Sequence, residues 1–308
     1  MAFGHGKVIL FGEHGVVHGR PALAAALSRG ARAEAHPADR PLLEVEPWGV
    51  AIEPSADGDD GPGTDNAGLR RAFAALLSGY PEPPQLRVAA ELTVPGGAGL
   101  GGSAALSVAV VRALDAALGV ERGNVEVAEL AQRAEKVFHG NPSGVDAAMA
   151  AHGGVALFSK ARGVRPVRLA TALPLVVGYS GEQGSTKKTV ASVARQLQRD
   201  PGRVEKIFDG MEAIVDNGKL ALEAGALEDL GQLMVLNQKL LVALMLSTTR
   251  LEEMCRAAID AGALGAKLTG GGGGGCMIAL ARDLKAAEHV QAALTAMAPD
   301  AFIAEVTP

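Results

Sequence analysis

The chain has 308 residues, 48% of them hydrophobic and 20% charged, which is typical of a globular protein with one or two domains. A net charge of −5 without a lysine or arginine cluster argues against a nucleic-acid or anionic-membrane surface, although a small anionic ligand needs only local positive charge. Two cysteines without metal-ligand spacing, no signal-peptide pattern and no apolar run long enough for a membrane span predict a cytoplasmic protein.

Short extended segments open the chain. The apolar run KVILF (7–11) predicts a buried strand that ends at Gly12, and PALAAAL (21–27) and LLEVEP (42–47) predict further extended pieces. The acidic, glycine-bearing segment 55–66 has no large apolar residue and predicts a surface loop.

Helices and strands then alternate irregularly. A helical period begins at Ala67, LRVAAELTV (86–94) alternates as a strand does, and the segment from Ser103 predicts a helix that ends at Gly119. Another helix is predicted over 124–140, where Gly140 and Pro142 are stop signals.

A second half begins near residue 170. VALFSK and VRPVRLA (155–170) predict a hairpin, LPLVVGYS (173–180) a strand, and the residues up to about 262 mostly helices. A glycine-rich run between two strands, a helix and a final strand follow. The absence of a regular βαβ repeat predicts two α+β domains, 1–172 and 173–308, rather than a doubly wound sheet.

The segment VPGGAGLGGSAALSV (94–108) has five glycines in seven positions directly before a predicted helix. A strand, a glycine loop and a helix N-terminus together present backbone N–H groups to an anion, and glycine lets the backbone approach it closely. The loop predicted to hold phosphates comprises Pro95, Gly96, Gly97, Ala98, Gly99, Leu100, Gly101, Gly102, Ser103 and Ala104.

Three other interpretations of this loop are weaker. A purely structural turn needs only one or two glycines. A dinucleotide fingerprint needs an acidic residue after the next strand, whereas Asp115 lies within the predicted helix. Gly96, Gly101 and Ser103 have Walker A spacing, but Gly102 stands in place of the lysine, so positive charge must come from magnesium and from elsewhere in the chain.

Two carboxylates and a lysine could supply that chemistry. Glu135 on a predicted helix could bind Mg²⁺, and Asp146, after the NPSG turn, could accept a proton from a substrate hydroxyl. Lys7 opens the first predicted strand. The alternatives are a solvated helix position for Glu135, a helix N-terminal residue favoured by the macrodipole for Asp146, and a solvated strand end for Lys7.

Glu13 and His14 follow the first strand, where side chains often line a ligand site. A zinc pair formed by His14 and His18 is disfavoured, because the glycine between them disrupts a helix. The six consecutive glycines at 270–275 lie between apolar strands and predict a tight loop against a ligand or another loop, rather than a linker.

Four segments together resemble the superfamily of galactokinases, homoserine kinases, mevalonate kinases and phosphomevalonate kinases (GHMP kinases). They are GKVILFGEHGVVHG (6–19), PGGAGLGGSAA (95–105), HGNPSGVD (139–146) and KLTGGGGGGC (267–276). HGNPSGVD discriminates best and is most similar to the mevalonate kinases.

The resemblance implies a two-domain α+β GHMP kinase fold. Its N-terminal domain would be an α/β sandwich like the second domain of ribosomal protein S5, and its C-terminal domain would be ferredoxin-like. The implied reaction is transfer of the γ-phosphoryl group of ATP to the 5-hydroxyl of (R)-mevalonate, giving 5-phosphomevalonate for isoprenoid biosynthesis. A homodimer is common among such proteins.

The resemblance also implies roles for individual residues. Ser103 and Glu135 would bind Mg²⁺, Asp146 would be the catalytic base, and Lys7 would keep Asp146 ionised and offset transition-state charge. The residues implied in substrate binding are Glu13, His14, Thr186, Gly271 and Gly272.

Two residues depart from the family pattern: Gly102 replaces the first of two serines, and Gly271 stands where alanine is usual. The alternatives left open are a GHMP kinase for phosphomevalonate, homoserine or a sugar, a diphosphomevalonate decarboxylase, and a non-catalytic metabolite or nucleotide sensor. The sensor is disfavoured because Lys7 and Asp146 are both present.

Overall fold

The computed structural model describes residues 1–56, 66–140 and 142–307, so the surface loop predicted at 55–66 lies mostly outside the described residues. Two compact units are formed from non-contiguous segments. Unit 1 comprises 1–7, 29–94 and 101–153, and unit 2 comprises 8–28, 95–100 and 154–308. The single boundary at 172/173 remains a prediction.

The first two strands are longer than the sequence predicts. β1 (Ala2–Phe11) begins five residues before Lys7, and β2 (Ala22–Pro37) continues ten residues beyond Leu27. Long-range pairing extends them beyond their apolar runs, because β2 pairs with other strands along most of its length. At Gly30 a Cβ would lie 2.1 Å from the Gly4 carbonyl oxygen, so only glycine allows this close backbone approach within unit 1.

Unit 1 packs helices against a sheet in the order β4-β3-β5-β2. Its remaining elements are β3 (Leu42–Val45), β4 (Val50–Ile52), α1 (Ala67–Leu77), β5 (Leu86–Leu92), α2 (Gly102–Leu118), α3 (Asn124–His139) and α4 (Val145–His152). Small alanine and valine side chains from α2, α3 and α4 fill much of the core. The predicted helices at Ser103 and 124–140 are confirmed, and α2 ends at Gly119 with φ 67°.

Unit 2 contains the predicted hairpin and a four-stranded antiparallel sheet. Its elements are β6 (Val155–Ser159), β7 (Gly163–Pro166), β8 (Leu173–Tyr179), α5 (Thr186–Arg199), α6 (Pro201–Ala224), α7 (Leu227–Ala243), α8 (Thr249–Asp260), β9 (Gly265–Thr269), β10 (Cys276–Leu280), α9 (Leu284–Thr295) and β11 (Asp300–Val306). The sheet order is β11-β8-β10-β9. This order and the chain order strand–helices–strand–strand–helix–strand are ferredoxin-like, as the resemblance implies.

Within unit 2, α7 packs directly on β9 through two glycines. A Cβ at Gly231 would lie 2.5 Å from the Leu264 carbonyl oxygen, and one at Gly265 would lie 2.1 Å from the Gly231 carbonyl oxygen. Both obstacles are backbone atoms, which cannot rotate away, so this contact fixes α7 against the strand that leads into the glycine run 270–275.

Across the residues that the structure describes, no helix combines the length and the apolar character required to cross a bilayer.

We expect Gly231→Ala to lower the free energy of unfolding by at least about 2 kcal/mol, because the added methyl group separates α7 from β9. Gly210→Ala is the matched control. Gly210 also lies within a helix, but its Cβ would make only an ordinary 3.4 Å contact with Leu240. The control should be neutral or up to about 1 kcal/mol more stable. Equal effects in urea unfolding would contradict this account.

Candidate active site

Lys7 and Asp146 form an ion pair in unit 1. Lys7 lies inside β1 rather than at a strand end, and its side chain is only 6% exposed, so the solvated alternative is wrong. Asp146 is the second residue of α4, and its side chain is 31% exposed. Lys7 Nζ lies 3.0 Å from Asp146 Oδ1. At this distance the two opposite charges attract each other directly.

Glu135 is buried beside this pair. It lies in the last turn of α3 with its side chain 1% exposed, which makes the solvated alternative wrong here too. Burial, and next the negative charge of Asp146, raise its pKa to about 7, against the opposing effects of a hydrogen bond with Ser103 and the charge of Lys7. Among the described residues, Glu135 Oε1 has no hydrogen-bond partner.

The N-terminus of α2 borders the same group. Gly101 is its N-cap, with φ 71°, and a Cβ there would lie 3.1 Å from Lys7 Cγ and 3.4 Å from Asp146 Oδ1. Glycine is therefore required both by the backbone conformation and by the space. We call Lys7, Ser103, Glu135 and Asp146 the acid–lysine cluster.

The acid–lysine cluster has the donors that Mg²⁺ prefers. Ser103 offers a hydroxyl oxygen and Glu135 a buried, unpartnered carboxylate oxygen. Within the described part of the chain there is no group of three or more His, Cys, Asp or Glu side chains suited to a metal. A hydroxyl and a carboxylate oxygen suit a magnesium ion, which would take waters and phosphate oxygens as its further ligands.

The first part of the predicted phosphate loop, 95–100, belongs to unit 2 and lies against the glycine run 270–275. A Cβ at Gly270 would lie 3.3 Å from the Gly99 carbonyl oxygen, and one at Gly275 would lie 3.1 Å from that of Ala98. The run connects β9 to β10. This confirms the prediction of a tight loop against another loop.

Glu13 lies in unit 2, completely buried beside Lys267. The two side chains form an ion pair, and Asn237 Nδ2 donates to Glu13 Oε2 at 3.1 Å. Burial raises the pKa of Glu13 and lowers that of Lys267, while the ion pair opposes both shifts. Glu13 is therefore shielded from solvent, directly before His14 in the sequence.

His14 contacts the glycine run. It has positive φ (60°), and its ring Nε2 lies 2.9 Å from the Gly271 carbonyl oxygen. Burial lowers the pKa of His14, which favours the neutral ring. Because a carbonyl only accepts, Nε2 carries the proton and Nδ1 is an acceptor. Nδ1 is buried and has no partner among the described residues.

Thr186 and the two glycines predicted to bind substrate lie near one another. Thr186 is the first residue of α5, and a Cβ at Gly271 would lie 2.6 Å from its Oγ1. Gly272 has φ 68°, and a Cβ there would lie 2.4 Å from the Leu246 carbonyl oxygen. We call His14, Thr186, Gly271 and Gly272 the histidine–glycine group.

Lys267, Asn237 and Thr269 were not singled out from the sequence. Thr269 Oγ1 accepts from the Ile9 amide at 2.9 Å and donates to the Ile9 carbonyl at 3.1 Å. The available signal was the lysine in AKLTGG, a charged residue in the short segment directly before the glycine run. Asn237 gave no such signal within α7.

Comparison with known proteins assigns the chain to a family. The profile of the GHMP kinases N terminal domain matches residues 68–154, and that of the GHMP kinases C terminal domain matches residues 219–300.

Individual relatives are similar over most of their length. A mevalonate kinase of Thermococcus gammatolerans is 37% identical, with 98% of this chain and 94% of the relative covered. A mevalonate kinase of Pyrococcus horikoshii is 39% identical, with 89% and 86% covered. The crystal structure of L. major mevalonate kinase in complex with R-mevalonate is 31% identical, with a TM-score of 0.86 over 99% of this chain and 95% of that one.

The raised pKa of Glu135 predicts how stability depends on pH in metal-free buffer. Its pKa is about 7 in the folded protein against an ordinary value of 4.5, so the folded state binds the extra proton between these values. The stabilisation is complete below about pH 4.5 and is lost as the pH rises through about 7. Relative to Glu135→Gln, the wild type should therefore lose up to about 3 kcal/mol over this range.

Thermal unfolding at pH 5 and pH 8 measures this difference. Glu129→Gln, which removes an exposed carboxylate from the same helix, is the control and should follow the wild type. If the wild type and Glu135→Gln change in parallel with pH, Glu135 does not titrate as described.

Proposed function

Because the chain belongs to the mevalonate kinases of the GHMP kinase family, we propose that it transfers the γ-phosphoryl group of ATP to the 5-hydroxyl of (R)-mevalonate, giving 5-phosphomevalonate and ADP. The observation that best supports this chemistry is the acid–lysine cluster. In it a lysine and two carboxylates adjoin the N-terminus of a helix that follows a glycine loop.

Asp146 is proposed as the catalytic base. It accepts the proton of the acceptor hydroxyl as the new O–Pγ bond forms and the bond from Pγ to the leaving ADP oxygen breaks. Lys7 Nζ lies 3.0 Å from Asp146 Oδ1 and offsets negative charge on the transferring phosphoryl oxygens. The partial exposure of Asp146 leaves it accessible to a substrate.

Ser103 and Glu135 would hold the magnesium ion, which when bound neutralises charge on the phosphate oxygens of ATP. The chain itself contributes backbone amides and the α2 N-terminus to phosphate binding, through the loop 95–104. Gly102, which replaces a family serine, is not required by space, because a Cβ there would make ordinary contacts of 3.4 and 3.5 Å.

The histidine–glycine group is proposed to bind the acceptor. Mevalonate offers hydroxyl donors and a carboxylate, and His14 Nδ1 is a buried acceptor suited to a hydroxyl. Thr186 can donate its hydroxyl to a substrate oxygen, and the α5 N-terminus favours negative charge. Glu13 acts indirectly, because it is fully buried.

A cytoplasmic location and a homodimer are further proposals. Both cysteines are buried and neither belongs to a disulfide, which is compatible with a reducing compartment.

The acceptor assignment is tested by measuring ADP release with mevalonate, phosphomevalonate, homoserine and galactose. We expect kcat/KM for mevalonate to exceed every other value by at least about 100-fold, because buried polar groups reject acceptors that leave them unpaired. Fastest turnover with a different alcohol would refute mevalonate as the acceptor, but the protein would still be a GHMP kinase. Release of CO₂ from diphosphomevalonate would indicate the decarboxylase.

Asp146→Asn should lower kcat at least about 100-fold with little change in thermal stability, because the amide cannot accept the proton. Asp216→Asn, at an exposed position on α6, is the control and should retain full activity. Near-normal turnover of Asp146→Asn would remove Asp146 from the role of base.

A further inference from the structure

Next to His14 in unit 2 lies a completely buried polar network formed by Glu13, Lys267 and Asn237. Its charged members, Glu13 and Lys267, both have side chains that are 0% exposed. Neither side chain is therefore accessible to a ligand that binds from solvent. Burying an ion pair is costly and often no more stabilising than an apolar pair of the same volume, so stability alone does not account for it.

The network saturates the donors of Lys267. Its ammonium group donates to Glu13 Oε1, to the Ile9 carbonyl oxygen at 3.3 Å and to the Leu268 carbonyl oxygen at 2.6 Å. An ammonium has three donors, and all three are used. With Asn237 donating to the other oxygen of Glu13, this carboxylate is held from two sides.

The same network connects two distant chain segments. The end of β1 and its following turn are joined to β9 and the glycine run by four side-chain contacts. Lys267 contacts Glu13 and the Ile9 carbonyl oxygen, Thr269 contacts both backbone groups of Ile9, and His14 contacts Gly271. Four contacts between two short segments leave little freedom for either to move independently.

His14 needs this support because its backbone conformation is energetically unfavourable. Among the described residues only His14 and Met245 are non-glycine residues with positive φ, and His14 has φ 60° and ψ −44°. Such a conformation persists only where the surroundings over-determine it, as they do at ligand sites. Glu13, the residue directly before it, supplies the anchor.

We propose that Lys267 is a positioning residue for the acceptor, which acts through Glu13 to hold His14 with its unprotonated Nδ1 available to an acceptor hydroxyl. The proposal builds on the proposed function and adds Lys267, Glu13 and Asn237 to it as residues that fix the histidine–glycine group. Lys267 itself does not touch substrate.

The test compares Lys267→Met with two controls. Lys239→Met removes an exposed lysine from α7, and Val290→Ala opens a cavity in the unit 2 core away from the network. We expect Lys267→Met to weaken mevalonate binding in calorimetry and to raise the mevalonate KM at least about 10-fold, with a change in ATP KM several-fold smaller. Val290→Ala should lower Tm without this split, and Lys239→Met should behave as the wild type.

The double variant Glu13→Gln/Lys267→Met keeps the test interpretable if Lys267→Met alone folds poorly. It removes both buried charges, so it avoids an unpaired carboxylate and should regain much of the lost Tm. The proposal requires that the mevalonate KM stays raised in this stable double variant. A normal mevalonate KM, or equal effects on mevalonate and ATP, would overturn it in favour of a purely structural pair.

The wild-type measurement separates the two proposals. If the acceptor panel favours another alcohol, the mevalonate assignment fails and the same comparison is made with that alcohol. If the wild type phosphorylates no acceptor and binds none in calorimetry, both proposals fail.

Discussion

The balance of buried charge distinguishes the two groups of ionisable residues in this protein. The acid–lysine cluster contains one ammonium group and two carboxyl groups. Lys7 contacts Asp146, and Glu135 keeps a pKa raised to about 7, since burial and the charge of Asp146 both disfavour its ionised form. A cation that binds Glu135 would favour the ionised carboxylate. Binding of a cation at Glu135 would therefore be coupled to release of the proton from this carboxyl group.

The Glu13–Lys267 network has the opposite character. Its two charges match one to one, the three donors of the ammonium are all used, and solvent does not reach either side chain. Such a network resists rearrangement, because breaking any contact leaves a buried polar group without a partner. A partly exposed, unbalanced cluster suits proton and phosphoryl transfer, whereas an enclosed, balanced network suits holding a turn in an unfavourable backbone conformation.

Local signals in the sequence predicted the glycine loop, α2, α3, the β6–β7 hairpin and the strands around residues 270–275, because each depends on a period, a cap or a glycine. The lengths of β1 and β2 and the burial of Lys7 were not predictable in this way, since they depend on pairing and packing with distant segments. The clearest failure is Lys267. The lysine in AKLTGG is visible as a charged residue beside the glycine run, but its partner Glu13 lies 254 residues away, so the sequence does not indicate that the pair is buried.

Gly271 shows why a departure from a family motif has to be interpreted together with its neighbours. Considered without its neighbours, a glycine in place of an alanine would give the backbone more conformational freedom. In the fold, a methyl group there would lie 2.6 Å from Thr186 Oγ1 and 3.1 Å from Thr186 Cα. The hydroxyl can rotate away, but the backbone of the first α5 residue cannot move without shifting the helix N-terminus. Position 271 therefore determines how closely α5 approaches the glycine run, and the same peptide group accepts the His14 hydrogen bond. Glycine here permits a tighter group rather than a looser one.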